Sequence, residues 1–141
     1  LGRADDVISP GGQRIGTMEV ESAIGTHPAV AEVAAVGAPA AGGGQLVVAF
    51  VVPRPGVEPT DALAEDIRAH AARAGLRVDR VVFVRKLPKT KSGKILRRVI
   101  RAALSGEQVG DVSMLDDPSS LEELMERARE LREQLRSLMG G

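Results

Sequence analysis

Cysteine is absent from this 141-residue chain, which excludes disulfides and thiolate metal sites and leads us to expect a reducing, cytoplasmic setting. Histidine occurs only as His27 and His70, too few for a histidine-rich metal centre. Phe50 and Phe83 are the only aromatic residues. The core must therefore be built from Val, Ala, Leu and Ile. Single-stranded nucleic acid, which stacks its bases on aromatic rings, is not an expected ligand. No apolar run approaches membrane-spanning length and nothing at the start resembles a signal peptide, so no membrane partner is expected either. An initiator methionine is missing, and the chain is expected to be part of something longer.

What is present is unevenly placed charge. Nineteen Lys and Arg balance nineteen Asp and Glu, yet Arg85, Lys86, Lys89, Lys91, Lys94, Arg97, Arg98 and Arg101 follow one another with no acid between them. Acids dominate after that block. A local positive field results, suited to an anionic ligand or simply to a solvated basic face. Within the block, Lys94 directly follows Gly93 and directly precedes an apolar and basic repeat.

Apolar spacing predicts the elements. Residues 5–15 read as two short extended pieces around a Gly11-Gly12 turn. Thr17 is a candidate N-cap for a helix with apolar positions Met18 and Ile24, and Val20 as a further candidate, that exposes Glu19 and Glu21 and ends at His27-Pro28. Residues 30–36 and 46–52 are strand-length Val/Ala runs. The loop between them holds Gly42-Gly43-Gly44, which lacks the lysine and helix of a phosphate loop and reads as a connector. Thr60 opens a second helix with Leu63, Ile67 and Ala71 on one face. Residues 77–85 alternate as a third strand. Ile95, Val99, Ile100 and Ala103 form the stripe of a third helix, with its arginines facing outward. Beyond Ser105-Gly106 the composition changes, and Ser119 with Glu122 reads as a capping box before a long acidic amphipathic helix. The expected fold is α+β: a small domain with an N-terminal β-hairpin, about three strands flanked by helices, and a C-terminal helix packed on the domain or on a partner.

Two segments far apart then carry a resemblance. Gly2-Arg3-Ala4-Asp5-Asp6-Val7-Ile8 with Gly11-Gly12-Gln13-Arg14-Ile15-Gly16-Thr17 resembles the hinge and glycine-loop region of the adenylate-forming acyl-CoA synthetases. Pro88-Lys89-Thr90-Lys91-Ser92-Gly93-Lys94 with Arg97-Arg98 is similar to their C-terminal lysine motif. The run from Gly110 to Pro118 resembles the tail of acetyl-CoA synthetases, which favours the short-chain branch (acetyl, propionyl or acetoacetyl). The resemblance implies residues 1–105 as a mobile C-terminal lid domain and 106–141 as an extension with an amphipathic helix. It also implies the reaction: a carboxylate attacks the α-phosphate of ATP, and coenzyme A then displaces AMP from the acyl-adenylate. ATP and coenzyme A enter as substrates, with Mg2+.

Site residues follow from the same resemblance. Lys94 matches the catalytic lysine of adenylation, whose ammonium offsets charge developing between carboxylate and phosphate. Lys86, Lys89 and Lys91 are read as surface or phosphate-steering charges. Asp5 matches the hinge, Arg3 and Arg14 match nucleotide-binding arginines, and Gly11 and Gly12 match the loop lining the coenzyme A tunnel. Gly25, His27 and Val30 match positions where relatives hold a cation, largely through carbonyl oxygens. Two departures stand out. Ser9 replaces the family's lysine or asparagine, and the arginine that meets the coenzyme A phosphates has no clear counterpart. Short-chain relatives are switched off by acetylation of this lysine, which removes its charge. The implied partners are thus the missing N-terminal domain, a lysine acetyltransferase and a deacetylase. Without the N-terminal domain the piece is expected to have no turnover. Two alternatives remain open at the level of sequence: an adenylation subdomain of a peptide-synthetase or fatty-acyl relative, and a basic-loop nucleic-acid-binding module.

Overall fold

The computed structural model describes residues 7–10, 14–40 and 43–138. The order is β1 (Val7–Ile8), β2 (Ile15–Gly16), α1 (Thr17–Gly25), β3 (Val30–Pro39), β4 (Gln45–Pro53), α2 (Asp61–Arg73), β5 (Arg80–Phe83), α3 (Arg97–Ser105) and α4 (Ser119–Leu138). β1 and β2 pair antiparallel as the expected hairpin. The larger sheet has the order β3-β4-β5, with β3 antiparallel and β5 parallel to the central strand.

β4 dictates the layers. Its sequence is apolar on both faces, as a strand sandwiched between helices requires. Val47, Ala49 and Val51 point to one side and pack with Val20 and Ile24 of α1, Ile67 and Ala71 of α2, and Ile8 and Ile15 of the hairpin. Val48 and Phe50 point to the other and pack with Val99, Ile100 and Ala103 of α3 and Leu124, Ala128 and Leu131 of α4. Leu87, Leu96 and Leu115 join that second cluster. Aliphatic side chains fill both clusters, and Phe50 is the single fully buried ring. The composition change beyond residue 105 is therefore not a packing boundary: the final helix belongs to the same core.

Several local expectations are corrected. Thr17 is the first helical residue, not the cap: Gly16 occupies the cap position without a side-chain bond, and the buried Thr17 Oγ1 has no hydrogen-bond partner. Thr60 does cap α2, its Oγ1 accepting from Leu63 N–H at 3.1 Å. At α4 the cap is Asp117, whose Oδ1 accepts the Ser119 N–H at 3.0 Å and its hydroxyl at 2.7 Å. The β3 and β4 strands run further than their Val/Ala cores, because backbone pairing continues to Pro39 and Gln45. Gly43 and Gly44 (φ +98° and +73°) make the turn, a conformation that other residues rarely adopt. β5 is shorter than expected: Asp79 turns its carboxylate onto Val47 N–H (2.7 Å) and onto Arg77 (2.8 Å) and so ends the ladder. Ile95 lies before α3, in an isolated bridge to Lys89. Gly106 closes α3 at φ +78°, a left-handed cap of the usual glycine kind.

Because α4 shares its core with α3 and β4, it should unfold with them. Leu131→Ala is expected to lower the unfolding free energy by about 2–4 kcal/mol. Met125→Ala, at a position 39% exposed, should cost under about 1 kcal/mol. Urea titrations with an unchanged slope check both; a separate early transition for α4 would contradict the shared core.

Candidate functional site

The lysine motif folds into a tight hairpin. Gly93 N–H donates to Thr90 C=O at 2.9 Å and Thr90 N–H to Lys94 C=O at 2.9 Å. The Thr90 hydroxyl accepts from Lys94 N–H at 3.1 Å. Gly93 sits at φ +91°, the left-handed position that completes a turn of this length and favours glycine. Leu87 and Leu96, both buried, anchor the two ends in the core, and Leu96 N–H reaches Pro88 C=O at 2.9 Å. Lys94 is thereby lifted to the exposed tip.

Charge separates the four lysines that the sequence left equivalent in chemistry. Lys86 pairs with Asp117 at 3.2 Å and Asp116 at 3.6 Å, and those carboxylates raise its pKa above the ordinary lysine value, the hydrogen bond to Asp117 contributing most. Lys89 forms an ion pair with Glu32. These two are structural and not free steering charges. Lys91 and Lys94 are exposed, and among the described residues no acid pairs with either side chain.

The arginines of α3 do not face outward as a set. Arg97 grips Glu21 through Nε (2.9 Å) and Nη2 (2.5 Å), with only about a fifth of either side chain exposed. Glu21 was expected on the solvent face of α1. Instead its Oε2 also accepts the Ala35 N–H at 2.9 Å, so one carboxylate joins α1, the outer edge of β3 and the first turn of α3. Arg98 donates to the carbonyls of Val109 (2.7 Å) and Asp111 (2.9 Å). Glu21, Glu32 and Asp117 are the functional supports that sequence reading missed. The signal for Glu21 lay in three-dimensional proximity alone, since it stands 76 residues from Arg97.

The strands that flank the glycine loop pack into the other core cluster. The hairpin β1–β2 packs its Ile8 and Ile15 with α1 and α2, whereas Leu87 and Leu96 belong to the α3–α4 side. Ser9 ties the hairpin to the sheet by its backbone: its N–H meets Gln45 Oε1 at 2.8 Å and its C=O accepts Gln45 N–H at 3.0 Å. Arg14 is exposed just before β2. Arg3, Asp5, Gly11 and Gly12 lie outside the described residues. Lys94 and Arg14 are both exposed.

Gly25, His27 and Val30 cluster at the end of α1, but the His27 ring is fully occupied. Its Nδ1 accepts from Ala29 N–H at 3.0 Å, which leaves Nε2–H to donate to Asp66 at 2.6 Å. The His27 carbonyl already accepts from Val30 N–H at 3.1 Å. Any cation there would have to use backbone oxygens, and the described residues contain no group of three His, Cys, Asp or Glu fit to hold a metal. His70 stacks edge-on at 5.1 Å and its Nε2 meets the Thr26 hydroxyl at 2.7 Å.

The His27 hydrogen bond lowers the Asp66 pKa below the usual 3.8. A carboxylate with a depressed folded pKa stabilises the fold above its unfolded pKa, and that stabilisation is lost as pH falls through the folded value. Asp66→Asn should accordingly be less stable than the parent chain at neutral pH. The gap should close as pH drops below the ordinary carboxylate range, measured by urea unfolding at a series of pH values; a gap independent of pH would count against it.

Comparison with known proteins places these features. A family model described as the AMP-binding enzyme C-terminal domain matches residues 19–94. An acetyl-coenzyme A synthetase from Pyrobaculum arsenaticum is 46% identical over 144 residues, covering 100% of this chain and 21% of the relative. A 3-hydroxypropionyl-coenzyme A synthetase from Metallosphaera sedula is 42% identical over 97% of this chain and 21% of its own length. The crystal structure of a Brucella canis acyl-CoA synthetase superposes with a TM-score of 0.68 at 47% identity, over 73% of this chain and 20% of that one. The chain spans about one fifth of the length of these relatives.

Proposed function

The chain belongs to the AMP-binding enzyme C-terminal domain family, and from that premise we propose that it is the mobile lid of an AMP-forming short-chain acyl-CoA synthetase. On this reading a carboxylate, ATP and coenzyme A are converted to acyl-CoA, AMP and pyrophosphate. Residues 1–105 form the lid and 106–141 an extension packed on it. The observation that carries the proposal is the state of Lys94, held at the tip of a hairpin and left without an internal counter-ion among the described residues while Lys86 and Lys89 are neutralised.

An ammonium group presented this way can be carried into a pocket built by the missing N-terminal domain. There it would lie between the attacking carboxylate and the α-phosphate, offsetting negative charge and aligning the two reactants. In a dry site such a contact contributes about 3–4 kcal/mol to the transition state. Arg3 and Arg14 would meet the nucleotide with their planar forks. Gly11 and Gly12 would leave room for the thiol arm of coenzyme A. Mg2+ would arrive with ATP, as part of the substrate.

On this reading the lid takes a separate orientation for each half-reaction. Asp5, ahead of the hairpin, is the proposed hinge, a residue that absorbs the dihedral change as the lid turns. The relatives differ in the acid that their names specify, and the acid is chosen outside this chain. No helix among the described residues is long and apolar enough to cross a membrane.

Lys94→Ala in the full-length enzyme should lower acyl-adenylate formation at least 10²–10³-fold, the effect of losing one transition-state donor. Conversion of supplied acyl-adenylate to thioester should persist. Equal loss in both half-reactions would overturn the role given to Lys94.

Lys94 is also the proposed target of a protein lysine acetyltransferase, with a deacetylase restoring the charge. Acetylation abolishes the cation and with it the transition-state contact. Peptide mass spectrometry after enzymatic acetylation should find the acetyl group on Lys94, in step with loss of adenylation. An even spread over Lys86, Lys89, Lys91 and Lys94 would refute it.

A further inference from the structure

The segment between α3 and α4 has no regular structure, yet it doubles back over the lysine hairpin. Thr90 forms an antiparallel bridge with Leu115, and Asp116 N–H donates to Lys89 C=O at 2.9 Å. Leu115 is buried in the same cluster as Leu87 and Leu96. Asp116 and Asp117 take the Lys86 ammonium. The other end of the segment wraps a guanidinium: Arg98 donates from Nη1 to Val109 C=O and from Nη2 to Asp111 C=O. Gly110, between those carbonyls, adopts φ +72°, and a Cβ there would stand 3.4 Å from Arg98 Nη1. Asp111 closes the turn by accepting Ser113 N–H at 2.9 Å.

We propose that residues 109–117 are a brace that fixes the position of Lys94, and that Arg98 is the positioning residue that fastens it. The proposal rests on the role given to Lys94 above. A two-stranded hairpin is marginal in water on its own, and the one at residues 89–95 has a single ladder bridge, Lys89 to Ile95. The Thr90–Leu115 bridge gives it a third strand. Arg98 lies four residues beyond Lys94, at the second position of α3, so its two hydrogen bonds return the brace to the element that the hairpin leads into. The result is a closed ring of contacts from hairpin to brace to helix and back. The planar fork of Arg98 matches two carbonyls at once, which a lysine cannot do. The brace lies outside residues 19–94, where the family model matches, but within the stretch that aligns with the full-length relatives. Misplacing a reacting contact by about 1 Å costs on the order of a hundredfold in rate.

The test compares full-length enzyme carrying Arg98→Ala, Arg98→Lys or Lys94→Ala with its parent. Arg98→Ala should lower kcat for acyl-adenylate formation about ten- to a hundredfold with KM for ATP unchanged, and Arg98→Lys should recover part of it. Thioester formation from supplied acyl-adenylate should be unaffected. Amide hydrogen exchange should quicken across residues 89–95 and stay constant in α1 and β4. Unchanged adenylation in Arg98→Ala would overturn the brace, and so would a parallel fall in both half-reactions with protection lost throughout. If Lys94→Ala itself adenylates at the parent rate, the role of Lys94 fails first, and the two failures are told apart by that control.

Discussion

One carboxylate on α1 holds the two faces of this domain in a fixed relation. Glu21 accepts the Ala35 N–H at the open margin of β3 and both prongs of the Arg97 fork from α3. The margin of a sheet is a row of unsatisfied donors and acceptors, and here one of those donors is used to seat an ion pair. α1 lies on one side of the sheet and α3 on the other, so the pair clasps the layers together around the strand. Anything placed by α1 and its preceding hairpin is thereby set at a constant angle to anything placed by α3. For a lid of the proposed kind, rigidity between its faces would matter as much as mobility at the hinge.

The basic block shows how positive charge is distributed by partners instead of by sequence. Eight bases crowd into residues 85–101, a density that would repel itself if all were free. Glu21, Glu32, Glu123, Asp116 and Asp117 neutralise members of the block from three different elements and the connector before α4. The tip of the hairpin escapes this neutralisation because its turn projects beyond reach of any described acid. Lys91 and Lys94 are thus left without a described counter-ion by geometry: Lys86 and Lys89 are paired and the turn holds the other two out.

Much of this was legible from the chain alone. The apolar run of β4, the Thr60 cap, the glycine before Lys94 and the stripe of Val99, Ile100 and Ala103 each follow from local rules of periodicity and turn chemistry. What failed to show was whatever depends on distant partners. Thr17 looked like a cap because hydroxyl residues usually are, but Gly16 holds that position and Thr17 is buried as the first helical residue. Ser119 lost the capping role to Asp117, two residues earlier, whose carboxylate is the stronger acceptor. The outward face assigned to the α3 arginines failed at Arg97 for a similar reason, while Arg98 is exposed but still bonded. Their partners, Glu21 and the carbonyls of residues 109 and 111, come from elements whose approach no helical period encodes.

The last helix carries a consequence for biosynthesis. Leu124, Ala128 and Leu131 complete the cluster that also buries Leu87 and Leu96, the two anchors under the lysine turn. A nascent polypeptide emerging from the ribosome can assemble the α1–α2 side early, yet the opposite side stays unsealed until residues near 131 have cleared the exit tunnel. A prematurely terminated product would then carry every residue of the lysine motif without a stable platform beneath it. Synthesis of the last helix becomes a condition for presenting the ammonium at all, a quality check written into hydrophobic packing.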